Sequence, residues 1–89
     1  MGRLSLRGVL AKNLRRLRRA RGLSQEDLAG RAGLNRNYVG MIEREENAAT
    51  VDVLERLAGV LGVQATELLD GGGEAAAAAP AARARGGAP

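Results

Sequence analysis

Counted from Gln25, the fifth, ninth, fifteenth and eighteenth residues are Ala29, Gly33, Val39 and Ile42. That spacing restricts the fold more than any other feature of the chain. Two helices that cross closely at a steep angle need a small side chain where they touch, because a large one would hold them apart, and Ala29 supplies it. Four residues later the turn requires a left-handed residue, which Gly33 adopts without strain. Leu28, Ala32, Leu34, Val39 and Ile42 then form the apolar seats through which both helices rest on a third.

That third element precedes them. Leu6, Leu10, Leu14 and Leu17 recur at helical spacing, so residues 6–21 read as a helix with one apolar stripe. Lys12, Arg15, Arg16 and Arg19 fall on its opposite side. Arg18 lies four residues after Leu14, at the edge of the stripe, and therefore needs a partner. Gly22 stops this helix, and Ser24 caps the next, with Glu26 and Asp27 in the first turn where the helix dipole favours negative charge. The second helix runs to about residue 32. Asn35 is expected to cap a third helix carrying Tyr38, Val39 and Ile42 to about residue 44. Thr50 and Asp52 open a fourth, in which Val51, Leu54, Leu57, Ala58 and Leu61 form a broad apolar arc, and residues 66–69 allow one more short turn. Residues 1–70 read as one all-α domain. Of the nineteen residues 71–89, sixteen are Gly, Ala or Pro, which reads as a disordered tail.

Composition narrows the chemistry. The 89 residues contain no Cys, His, Trp or Phe, which removes the usual zinc ligands, thiol nucleophiles and imidazole bases. Glu26/Asp27 and Glu45/Glu46 are sequence neighbours on different sides of a helix and cannot flank one substrate atom as an acid/base pair would. The expectation is a protein with no catalytic residues, no metal and no cofactor. From Met1 to Gly22 there are eight basic residues and no acidic one. This draws polyanions, nucleic acid first and an anionic membrane second; a well-solvated helix face is the plain alternative. No apolar run approaches the roughly 18 residues of a membrane span, and the N-terminus lacks the core of a signal peptide, so a cytoplasmic chain away from membranes is expected.

Together these residues carry a resemblance. From about residue 10 to 70 the chain resembles the lambda-repressor-like helix-turn-helix family. The stretch "LSQEDLAGRAGLNRNYVGMIER" is similar to restriction-modification controller proteins and small phage-type repressors. The resemblance implies a compact five-helix domain, usually dimeric, whose third helix enters the major groove of double-stranded DNA. It assigns base reading to Asn35, Arg36, Asn37 and Met41. Arg36 would suit guanine O6 and N7, Asn37 adenine, and Met41 a thymine methyl. It assigns the DNA backbone to Gln25, with Tyr38, Arg44, Asn47, Lys12 and Arg16 as further candidates; Tyr38 reads equally as a core-edge tyrosine. Gly40 would let the backbone lie against the groove wall. Arg18 and Glu43 match a structural ion pair that sets the angle of the reading helix.

The chain departs from the family in the loop after that glutamate. "REENAAT" places Glu45 and Glu46 where a small turn residue and basic residues are usual, and Ala49 where proline is usual. Two acids there would weaken phosphate contact. Helix four has more apolar surface than one packing face needs, so Val53, Leu57, Val60, Leu68 and Leu69 are expected to form a homodimer patch. No ligand domain follows, so no small-molecule effector is expected. A toxin–antitoxin role, or an adaptor or RNA-binding module that uses the same fold without reading bases, remains the alternative.

Overall fold

The computed structural model describes residues 5–71. Helices α1 (Leu6–Ala20), α2 (Gln25–Arg31), α3 (Tyr38–Glu43) and α4 (Val51–Leu61) are followed by a 3₁₀ helix, η1 (Ala65–Leu69). The fifth helix implied by the family is thus a 3₁₀ turn among the described residues. Only five residues separate Gln64 from Asp70, enough to close i→i+3 bonds but too few to build an α-helix of useful length. The expected disordered tail lies, apart from Gly71, outside the described residues.

Local chemistry sets the ends. α1 opens on Ser5, whose Oγ accepts from Gly8 N at 3.0 Å. It closes through Gly22 at φ 68°, with Leu23 N donating back to Arg18 O at 3.1 Å. α2 starts in a reciprocal capping box: Asp27 N donates to Ser24 Oγ and Ser24 N to Asp27 Oδ2. Gly33, at φ 73°, makes the turn after α2, and Leu34 N reaches Ala29 O at 2.8 Å. Thr50 caps α4 by accepting from Val53 N, and Gly62 ends that helix in the left-handed region.

One expected cap is corrected. Asn35 does not cap α3; its Oδ1 accepts from Asn37 N at 2.8 Å, folding the side chain over its own backbone two residues ahead. α3 therefore begins at Tyr38, with Asn37 at the cap position and making no side-chain cap bond.

The core lies between the helices, where Leu14, Leu28, Val39, Ile42, Leu57, Leu61 and Leu68 are fully enclosed and each contributes about 1.5–3 kcal/mol by leaving water. Ala29 is also fully buried, as the tight crossing of α2 and α3 requires. Asn13 ties the end of the chain to α1. Its buried side-chain amide donates to Glu67 O, Leu68 O and Asp70 O at 3.2, 3.0 and 2.9 Å.

That clamp overturns part of the dimer patch. With η1 held against α1 and α4, Leu57 and Leu68 have no exposed surface and Val53 only 9%, so all three belong to the core. Val60 and Leu69 are half-buried and pack on its rim. The apolar surface left open lies elsewhere. Leu6 is 63% and Val51 73% exposed. Two adjoining hollows, one lined by Leu6, Leu10, Ala48 and Ala49 and the other by Val51, Glu55, Ala65 and Thr66, share Leu54 and Leu69.

Candidate nucleic-acid interface

Because α3 starts late, Asn35, Arg36 and Asn37 ride on the turn that leads into it, and all three are exposed. A groove forms beside that turn. Gln25 and Glu26 enter it from α2, Arg36 and Asn37 from the turn, Gly40 and Met41 from α3, and Arg44 and Glu46 from the loop beyond. Three of the four expected base readers, Arg36, Asn37 and Met41, are thereby brought together. Asn35 is not among the lining residues, its side-chain oxygen being committed to Asn37 N.

Gly40 is buried in the groove for an internal reason. A Cβ there would lie 3.1 Å from both Gln25 Oε1 and Arg44 Nη1, so glycine makes room for those two side chains. Gln25, in turn, spends its amide on the protein, donating from Nε2 to Glu43 Oε1 at 3.0 Å. Of the other backbone candidates, Arg44 lines the groove, whereas Tyr38 is half-buried against the core and Asn47 half-buried in the loop. Lys12 and Arg16 are exposed on α1, away from the groove lining; Arg16 Nη2 makes a long contact of 3.4 Å to Asn13 Oδ1.

Behind the groove sits Glu43, only 4% exposed. Arg18 grips it at two points, Nε to Oε2 at 2.7 Å and Nη2 to Oε1 at 3.0 Å, while Nη1 holds Leu23 O at 2.9 Å. The Arg18–Glu43 pair expected from sequence is therefore formed. Arg15, read from sequence as facing outward, joins it by donating from Nη2 to Glu43 O at 3.0 Å. Burial pushes the Glu43 carboxyl upward, but the bonds from Arg18, Gln25 and Arg15 outweigh it and hold the group below the usual carboxylate range. α1, α2 and α3 thus meet at one carboxylate, which fixes how α3 and its leading turn are presented.

The exposed arginines also have partners. Arg36 Nη2 donates to Glu26 Oε2 at 2.7 Å, and Arg44 meets Glu46 at two points, Nε at 2.9 Å and Nη2 at 3.2 Å. The bonds from Arg44 draw the Glu46 carboxyl below its ordinary range. Glu46 is aimed by Glu45, which holds φ 62°, the one positive φ outside glycine among the described residues. Glu46 N then closes on Met41 O at 2.9 Å, so a glutamate in the left-handed region makes the turn after α3. Sequence reading missed Glu26 as a groove residue; the available signal was its place in the first turn of α2, ten residues ahead of a matching arginine.

Comparisons with known proteins show the family. A family profile described as "Helix-turn-helix" matches residues 14–68, more than half of the chain. The chain belongs to the helix-turn-helix family. It is 45% identical over 64 residues to a hypothetical transcription factor of Neisseria meningitidis, a match that spans 72% of this chain and 60% of that protein. It is 39% identical over 66 residues to the control protein C.SmaI of Serratia marcescens, covering 74% and 79% of the two chains. Among solved structures it is similar to the restriction-modification controller protein C.AhdI of Aeromonas hydrophila, with a TM-score of 0.67, 40% identity, and coverage of 70% of this chain and 94% of that one. These helix-turn-helix relatives carry the names of transcriptional regulators and controllers. Among the described residues of this helix-turn-helix chain, no helix is long and apolar enough to cross a membrane.

Proposed function

We propose that the chain is a homodimeric, sequence-specific regulator of transcription that binds double-stranded DNA through the groove beside α3. Arg36 reads guanine through O6 and N7, Asn37 reads adenine, and Met41 rests on a thymine methyl, with Asn35 at the margin. Arg44, Asn47, Tyr38 and Gln25 border the duplex backbone, and Lys12 and Arg16 add basic charge from α1. The observation that carries this reading is the groove itself. It gathers Arg36, Asn37 and Met41 on one exposed surface, and the Arg18–Glu43 pair braces that surface from behind.

The homodimer is proposed to form through the open apolar face around Leu6, Val51, Leu54 and Leu69, with Val60 at its border. Two copies would read a near-palindromic operator with half-sites about 10 bp apart. The names of the relatives suggest control of restriction-modification genes as the setting. Selection of duplexes from a random pool tests the reading. The expected result is one enriched half-site repeated about the operator centre. Arg36→Ala should weaken its binding by about 1–3 kcal/mol and relax choice at a single position. Equal binding to all duplexes would overturn it.

A further inference from the structure

The two arginines that open onto the groove are each answered by a carboxylate of the same groove, Arg36 by Glu26 at 2.7 Å and Arg44 by Glu46 at 2.9 Å. All four side chains are between 54% and 73% exposed, so burial forces neither pair. Pairs in such surroundings add little to folding. Their effect on an approaching ligand is larger. An arginine beside a carboxylate offers a nearly neutral couple at a distance, because the two charges cancel over a few ångströms.

A phosphate is ionised, so it is drawn by the guanidinium and pushed away by the carboxylate at similar range. A guanine edge is neutral, feels little of that repulsion, and still presents O6 and N7 to the guanidinium fork. The same couple therefore penalises the DNA backbone and spares the base. Glu26 is well placed for this role because its backbone is fixed in the first turn of α2, next to the Ser24–Asp27 capping box. Glu46 is held at the other end of α3 by the Glu45 turn.

We infer that Glu26 is a specificity-determining residue: it suppresses capture of Arg36 by phosphate and reserves that arginine for base edges. This rests on the DNA-reading role proposed above for the same groove. It extends to Glu26 the expectation that acids in this region weaken phosphate contact, and what that weakening removes is indiscriminate binding.

The test measures binding of the full chain to its selected duplex and to a scrambled duplex of equal length, across a range of salt, for the unsubstituted protein, Glu26→Gln, Glu46→Gln and Glu26→Asp. Glu26→Gln should tighten the scrambled duplex by about tenfold and steepen its log–log salt slope by about 0.9, the signature of one added phosphate contact. The selected duplex should gain less than about threefold, so the preference falls. Glu46→Gln, which frees the backbone-bordering Arg44, should tighten both duplexes by similar factors, and Glu26→Asp should keep the preference. If the unsubstituted protein shows no preference, the DNA-reading role itself fails. If it shows one and Glu26→Gln leaves both affinities and slopes unchanged, or moves both duplexes equally, the inference about Glu26 is overturned while the reading role stands.

Discussion

The molecule uses arginine–carboxylate pairing in two places with opposite surroundings. At Glu43 the carboxylate is enclosed, and Arg18, Arg15 and Gln25 converge on it from two other helices. In the groove the pairs Arg36–Glu26 and Arg44–Glu46 stand in water, each with a single partner. The enclosed cluster is costly to break because either partner, left alone, would be a charge without solvent. The open pairs are cheap to break, since water replaces whichever partner leaves. One arrangement suits a hinge that must not move, and the other suits a surface that must exchange partners.

The sharpest way to break this contrast is Glu43→Ala, which should destabilise the fold by about 3–5 kcal/mol because it strands the Arg18 guanidinium. At about 4–8 °C per kcal/mol for a domain of this size, a thermal melt would show it plainly. The double change Arg18→Met with Glu43→Leu should recover much of that loss, since an apolar pair needs no desolvation of charge. Next in size is Asn13→Ala, expected to cost about 1–3 kcal/mol by removing the amide that ties the Glu67, Leu68 and Asp70 carbonyls to α1. A urea midpoint would measure it, and faster amide exchange in η1 would locate it.

Acid separates the two regions more gently. Glu43 titrates lower in the folded chain than unfolded, so its stabilising share is complete above the ordinary glutamate value of about 4.3 and is lost as pH falls through the lower folded value. Asp27, lowered by the backbone and hydroxyl of Ser24, loses its share in the same direction. Stability measured from pH 6 downward should therefore decline, and Glu43→Gln should flatten the decline without abolishing it. The smallest expected effect is on folding by Glu26→Gln or Glu46→Gln, whose melting temperatures should stay within about 2 °C of the parent.

The rigid part of the site was the more legible in sequence. Ala29 and Gly33 report a helix crossing through steric demands that span only a few residues, and Arg18 betrays its need for a partner by sitting on an apolar edge. Where α3 begins was not legible, because the Asn35 side chain serves a helix cap and a turn over its own backbone with the same hydrogen-bond chemistry. The dimer patch was misread for a different reason. Whether Leu57 and Leu68 are covered depends on how η1 docks, and that is decided by Asn13, 54 to 57 residues away in sequence. Glu26 escaped notice as a groove acid because it suits a helix N-terminus so well that no further role was required of it.

On binding, the groove arginines should trade their carboxylates for DNA while the Arg18–Glu43 frame stays in place. Arginine side-chain Nε–Hε resonances of ¹⁵N-labelled protein, followed during titration with the selected duplex, address it directly. The Arg36 and Arg44 signals should shift to saturation and that of Arg18 should not move. A duplex that binds while Arg36 and Arg44 remain unperturbed, or that displaces Arg18 instead, would contradict it.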